Sequence, residues 1–363
     1  MVKRVAILGA GNGGATAAAD LSAQGFEVRL YESPEFHKNI EVIEKKGGIL
    51  FKTEKGEQFV KIALVTTNIS EAIKNADVVM ITVPGTAIEI IADKCAPYLE
   101  EGQAVLINSA ACMASVRFMQ TIKTLGVKTN FKIGETNTLT YGTRFFADKG
   151  EVHMMLKTKK LLCAAYPSKD TPELIRRVRQ LYDFLVPAAN VWETTLNNGN
   201  PESHPGPSVC NAGRIDYSKG EFWLYKEGMT EHTVNVVKAV DNERAAICKA
   251  MGFEGVPKET RIVELGYAQP LENLQRQYNE STIYPFVKGP TDLNSRYITE
   301  DIPNGLVLWS SIGKVAGVAT PVIDAIITLG GALLGRDFWA EGMSVEKLGF
   351  NIASKEDLIS QVS

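Results

Sequence analysis

The sequence predicts an α/β protein of two domains: a doubly wound parallel sheet over residues 1–190 and an all-helical domain over residues 191–363. Three observations carry this. Apolar runs of strand length alternate with helical stretches through the first half. A glycine-rich turn follows the first of those runs directly. Beyond about residue 228 only helical periodicity remains. A chain of 363 residues also suits about two domains.

VAILGA (5–10) is continuously apolar, as a central strand covered on both faces should be. Residues 13–24 read as an alanine-rich helix and FEVRLYE (26–32) as the second strand. A charged helix and the short runs GGILFKT, EQFVKIALVTT and ISEAIKNA come next. ADVVMITVP (76–84) is a further buried strand, followed by a helix in TAIEIIADKCAPYL. QAVLINSA (103–110), FKIGETNT (131–138) and KLLCAAYP (160–167) are expected as strands joined by helices, with a helix in LIRRVRQLYDFL (174–185). HTVNVVKAVDNERAAICKAMG, ETRIVELGYAQ, LENLQRQYN and GLVLWSSIGKVAG are all helical in period.

A net charge of −3 with 22% charged residues leaves no footprint for nucleic acid or an anionic membrane, so small molecules are the expected partners. The N-terminal apolar run is broken by Gly and Asn and followed by Asp20, which argues against a signal peptide. VAGVATPVIDAIITLGGALLG is interrupted by Pro321 and Asp324 and reads as a buried core helix, not a membrane span. Cys95, Cys112, Cys163, Cys210 and Cys248 are scattered, which suits reduced cytoplasmic thiols better than disulfides or a metal site. Apolar residues near the C-terminus would serve a homodimer interface or the core.

GAGNGG matches G-x-G-x-x-G between a strand and a helix, the context of a Rossmann-type nucleotide fold. Gly9 permits the turn, Gly11 lets a pyrophosphate reach the backbone, and Gly14 lets helix and strand close up. The whole turn, Gly9, Ala10, Gly11, Asn12, Gly13 and Gly14, is expected to face the cofactor, with the helix N-terminus toward the phosphates. Glu32 ends the second strand, where a carboxylate accepts from ribose hydroxyls and repels a 2′-phosphate. NAD is therefore expected, with NADP as the alternative through Lys38. Val83 and Pro84, at the edge of the sheet, are expected beside the nicotinamide half.

Of four histidines, His37 sits in a charged helix, His153 in a strand-like run and His232 at a helix start. His204 stands in NNGNPESHPGPS (197–208), which reads as a polar loop at the domain junction, a favoured place for ligands. There it is either a proton-transfer group or a structural loop histidine. TDLNSRYITEDIP (291–303) offers Arg296 for a carboxylate and Glu300 and Asp301 as acids; alone it reads first as a solvated loop with ordinary surface charges. Asn200, Thr195 and Tyr141 are weaker candidates: Asn200 either orients substrate or closes a turn, and Tyr141 either lines the site or packs.

These blocks resemble the opine dehydrogenase family of octopine/nopaline type. The resemblance rests on GAGNGG, ETNTLTYGTR (135–144), TTLNNGNPESHPGPSVCNAG (194–213), DLNSRYITEDIP (292–303) and TPVIDAIITLGGALLGRDFWAEGMSVEKLG (320–349), spanning nearly the whole chain. It implies NAD(P)H-dependent reductive condensation of a 2-oxo acid, usually pyruvate, with the amino group of an amino acid through an imine. It further implies His204 as general acid/base, Asp301 as its partner and Arg296 as the oxo-acid clamp. Two rivals share the architecture or the nucleotide turn: a 3-hydroxyacid or ketopantoate-type dehydrogenase using a helical lysine, for which Lys238 is the candidate, and a non-catalytic nucleotide-binding protein. The geometric expectation is that His204 and Asp301 lie within hydrogen-bond reach.

Overall fold

The computed structural model describes residues 1–109, 111–350, 352 and 354–363. The chain divides into two compact units, Met1–Thr194 with Ser363, and Thr195–Val362, a few residues beyond the expected boundary at 190/191.

Among the described residues the first unit holds twelve strands: β1 (Arg4–Leu8), β2 (Glu27–Tyr31), β3 (Gly48–Thr53), β4 (Gly56–Lys61), β5 (Leu64–Thr66), β6 (Val78–Ile81), β7 (Ala104–Ile107), β8 (Lys132–Thr136), β9 (Tyr141–Phe146), β10 (Glu151–Lys157), β11 (Leu161–Tyr166) and β12 (Leu185–Pro187). Eight of them form one sheet in the order β12-β11-β8-β7-β6-β1-β2-β5. The register sets Leu8 beside both Tyr31 and Ile81, so β1, β2 and β6 end level with one another and present their following turns together.

The expected all-parallel sheet needs one correction. β11 runs antiparallel to β8, because residues 139–159 are not helical. They form β9 and β10, an antiparallel pair in a second sheet of order β4-β3-β10-β9. A parallel neighbour requires a crossover that returns the chain to its starting end; without one, β11 enters from the opposite end. The strand expected over 103–110 is observed over Ala104–Ile107, and Ala110 lies outside the described residues. Helix Asn12–Ala23 touches strands of both sheets. That position explains its alanines: Ala15, Ala17, Ala18 and Ala19 are fully buried, and larger side chains would push the sheets apart.

In the second unit every regular element among the described residues is helical. Helix Glu231–Ala250 is its axis, begun by Thr230, whose hydroxyl accepts the Thr233 N–H. Helices Pro205–Cys210, Val307–Ala316 and Pro321–Leu334 pack on it. Pro321–Leu334 is not the wholly buried helix expected: it buries Ile323, Ile326 and Ile327 but exposes Leu329 and Leu333. Among the described residues no helix is long and apolar enough to cross a membrane.

The segment 197–208 is also corrected. It is not a structureless loop but two single helical turns, Asn200–Ser203 and Pro205–Cys210, meeting at His204. Pro201 and Pro205 each stand in a first turn, where no N–H is needed for the helix. The two turns meet at His204, whose backbone (φ −102°, ψ −56°) departs from regular helix values.

Candidate active site

In the first unit the turn after β1 is shaped by close approach. A Cβ on Gly14 would stand 1.7 Å from the Gly9 carbonyl oxygen, so only glycine lets the helix start there. Gly9 itself has φ +104° and lies against Val83 and Thr82, bringing the end of β6 to the turn. Gly13 is buried under Leu139. Gly11, by contrast, is exposed, and a Cβ there would meet nothing within 4 Å. That is the open backbone a pyrophosphate requires. The Asn12 amide oxygen accepts the Phe145 N–H at 2.8 Å, tying the helix start to β9.

Glu32 follows β2 and is nearly buried. Its carboxylate accepts the Ala10 N–H at 3.0 Å, the Ser33 N–H at 2.8 Å and the Asn39 amide at 3.1 Å. The acid expected for a ribose is thus pre-aimed beside the glycine turn. The open glycine, the aimed carboxylate and the helix N-terminus together fit a dinucleotide. Val83 and Pro84 sit just past β6. Arg117 holds this stretch, donating to the Gly85 carbonyl at 2.7 Å while paired with Glu89. No sequence signal marked Arg117, which lies in an amphipathic helix.

Tyr141 does not join this group. It is buried at the start of β9, donates to Asp20 at 2.7 Å and bonds Tyr182 at 2.9 Å. Burial, with Tyr182 and Asp20 beside it, pushes its phenol well above the ordinary range. Its hydroxyl is committed inside the first unit, so the geometry gives it a packing role, not the substrate contact expected of it.

In the second unit, His204 Nδ1 lies 2.7 Å from Asp301 Oδ2, both groups nearly buried. The expected contact is present, across 97 residues of sequence. It is made possible where the turn Ile302–Leu306 meets Asn200–Ser203: a Cβ on Gly305 would stand 2.4 Å from Pro201 Cγ. Burial raises the Asp301 carboxyl, and the bond to His204 opposes that rise. Tyr297 stacks on the imidazole, ring centroids 3.8 Å apart and planes within 6°. Tyr225 places its hydroxyl 2.8 Å from Nε2.

Arg296 opens the short helix Arg296–Thr299, with its Nε bonded to Glu300 and its side chain 65% exposed. Among the described residues its two terminal nitrogens have no partner, which leaves the fork able to take a carboxylate. Asn200 caps nothing with its side chain. Its backbone carbonyl accepts the His204 N–H, and the turn is closed by Asn198, whose amide oxygen accepts the Asn200 N–H at 3.1 Å. Thr195 is buried, its carbonyl accepting the Trp309 indole N–H at 3.1 Å.

Sequence reading missed what anchors this segment. Glu202, two residues before His204, is completely buried among Lys258 (2.7 Å), Arg244 (3.3 Å) and Arg261. Asp241 completes the cluster, 2.7 Å from Arg244 and 2.8 Å from Arg261. Burial alone would raise Asp241, but the two guanidiniums outweigh it and hold its carboxyl well below the usual range. Lys258 also reaches the Gly199 carbonyl and Arg261 the Asn197 carbonyl, clamping the segment that leads to His204. Lys258 is the buried lysine of this unit, and its ammonium is spent on that clamp. The spacing of these charges on helices carries no pattern that would distinguish them from a solvated face.

Residues 187–334 match the family of the NAD/NADP octopine/nopaline dehydrogenase alpha-helical domain, and residues 4–130 match the NAD-dependent glycerol-3-phosphate dehydrogenase N-terminus. An opine dehydrogenase of Arthrobacter sp. (strain 1C) is 31% identical over 349 residues, covering 96% of each chain. The chain belongs to the opine dehydrogenase family. It is an NAD(P)-dependent oxidoreductase acting on CH–NH donors, of the class that joins a 2-oxo acid to an amino group by reductive condensation. A solved octopine dehydrogenase in complex with NADH and agmatine shares the fold, with a TM-score of 0.79 at 19% identity over 99% of this chain and 98% of that one. A ketopantoate reductase from Ralstonia eutropha JMP134 shares it less closely, with a TM-score of 0.62 at 18% identity over 91% and 98%.

Proposed function

We propose that His204 is the general acid/base of this condensation, that Asp301 fixes its tautomer, and that Arg296 clamps the carboxylate of the 2-oxo acid. The observation that carries the reading is the 2.7 Å bond between His204 Nδ1 and Asp301 in a nearly water-free setting. A carboxylate at Nδ1 leaves Nε2 as the nitrogen that exchanges protons and stabilises the imidazolium once it forms.

The glycine turn and Glu32 would hold the reduced dinucleotide, which when bound would supply a hydride for the imine carbon. The chain's own residues handle the steps before it. Arg296 holds the 2-oxo acid, and the neutral amine of the amino acid attacks its carbonyl. His204 first carries a proton from the attacking nitrogen to the oxygen, giving the carbinolamine; it then delivers a second proton, drawn from solvent, to that hydroxyl, which leaves as water and leaves a protonated imine. Asn200, with its half-buried amide, is a further substrate contact. Glu32 favours NADH over NADPH, because its carboxylate repels a 2′-phosphate.

A matrix of 2-oxo acids against amino acids, pyruvate first, with NADH and NADPH, tests the reading. Cofactor oxidation should require both an oxo acid and an amine, and should be faster with NADH. His204→Ala should lower turnover by about 10²–10⁴-fold with NADH titration unchanged. Turnover that survives this substitution removes His204 from the role.

A further inference from the structure

His204 has two ring nitrogens, and Asp301 accounts for one. The other, Nε2, has a neighbour of its own: the Tyr225 hydroxyl stands 2.8 Å from it, and among the described residues that nitrogen is the hydroxyl's only hydrogen-bond partner. Tyr225 lies in a π-helical turn, Leu224–Gly228, a distortion that recurs at functional positions. The turn is held in place from outside: Asn279 donates from its amide to the Tyr225 carbonyl at 2.7 Å. The Tyr225 ring is enclosed by Tyr284 (centroids 4.5 Å apart) and Tyr278 (5.6 Å), and Tyr284 in turn stacks on Tyr267. Tyr278 bonds Ser203, the residue before His204. A plain packing tyrosine needs none of this aim.

Resting on the reading of His204 as the acid/base, we propose that Tyr225 is a positioning residue for it: its hydroxyl fixes the imidazole's orientation at Nε2 and governs proton exchange there. With Nδ1–H donated to the Asp301 carboxylate, a neutral ring can only accept at Nε2, so the Tyr225 O–H donates. When Nε2 gains a proton the bond must reverse, and the phenolic oxygen becomes the acceptor. Burial keeps the phenol far above its ordinary range, so it remains a hydroxyl throughout and never competes as an anion. The other groups facing this pair are Tyr297 on the imidazole face, Glu300 and Arg296 beside Asp301, and the Glu202 cluster behind the segment. The hydrogen bond at Nε2 is made by Tyr225.

Tyr225→Phe keeps the ring stacks and deletes only the hydroxyl. In the full chain it should leave the melting temperature and NADH titration near those of the unaltered protein. Turnover should fall about tenfold or more, with the KM for the oxo acid little changed. The limb of the pH–rate profile that belongs to His204 should move by at least about half a pH unit. Replacing the Tyr225 ring by 3-fluorotyrosine, which keeps the shape and acidifies the hydroxyl, should move the same limb, and serves if the phenylalanine variant folds poorly. An unmoved limb in these variants, with or without a loss of rate, overturns the proposal, since a packing role would alter rate alone. His204→Ala, assayed in parallel, separates the two readings. If it is dead and Tyr225→Phe behaves as the unaltered enzyme, only the Tyr225 inference falls. If it is active, both do.

Discussion

At the glycine turn of the first unit, the site is made of backbone. Gly9, Gly11 and Gly14 contribute the absence of side chains, and the single aimed group, Glu32, is held largely by backbone N–H donors. Around His204 in the second unit, the site is made of side chains: Asp301 and Tyr225 at the ring nitrogens, Tyr297 on its face, and Glu202 under its stem. A site of the first kind is vulnerable to an added methyl group and tolerant of distant change. One of the second kind depends on residues far apart in the chain.

The same contrast separates two buried carboxylates. Glu135 on β8 is enclosed by neutral donors, the Ser115 N–H and hydroxyl at 2.7 Å each and the Thr194 hydroxyl at 3.2 Å. Burial pushes it up to about 7 despite those bonds. Glu202 is as deeply buried but stands among three cations. Hydrogen bonds from neutral groups do not replace full charges in offsetting the loss of water.

Two substitutions test that contrast. Glu202→Ala should cost the most, on the order of 3–5 kcal/mol, because it leaves Lys258, Arg244 and Arg261 buried around a missing partner. Chemical denaturation reads this, and turnover should drop as well although His204 is intact; a loss below about 1 kcal/mol would mean the cluster is solvated and not an anchor. Glu135→Gln should alter stability by an amount that depends on pH. The folded protein holds the Glu135 proton up to about pH 7, whereas the unfolded chain releases it near about 4.3. Its contribution is therefore complete below the unfolded value, is lost as pH rises through that window, and is flat above it. Relative to the unaltered protein, the glutamine variant should gain on the order of 2–3 kcal/mol between pH 4 and 8. Parallel stability curves for the two proteins would show that Glu135 titrates normally.

The glycines should divide in two. Gly14→Ala should lower stability by about 1–3 kcal/mol or more and abolish NADH binding, since its Cβ collides with backbone. Gly11→Ala should leave the melting temperature unchanged and weaken NADH alone, because its Cβ meets only the space expected for the pyrophosphate. Equal effects on stability from the two would refute a backbone-made cradle.

Much of the nucleotide end was readable in the chain because its parts are local. β1, the glycine turn and helix Asn12–Ala23 are consecutive, and Glu32 is placed by the length of one helix and one strand. The His204 end was readable only in its parts. Its composition suggested an irregular loop, yet Pro201 and Pro205 start helical turns that tertiary packing against Gly305 and helix Glu231–Ala250 makes worthwhile. Residues 139–159 were expected to contain a helix and became a hairpin, because β10 found an edge on β3, a hundred residues earlier in the chain. Strand runs and period could not reveal that pairing.

Residue order alone, then, determined what short-range sterics and periodicity determine: the two-part architecture, the glycine turn between β1 and its helix, the acid at the end of β2 and the candidates for chemistry. Which of those residues meet was decided by the folded chain. His204 against Asp301, Tyr225 at Nε2, Glu202 within its cations and Tyr141 withdrawn to Asp20 are all contacts between residues at least 21 apart. Contacts across such spans depend on loop closure and packing summed over the whole unit. No local pattern encodes that sum.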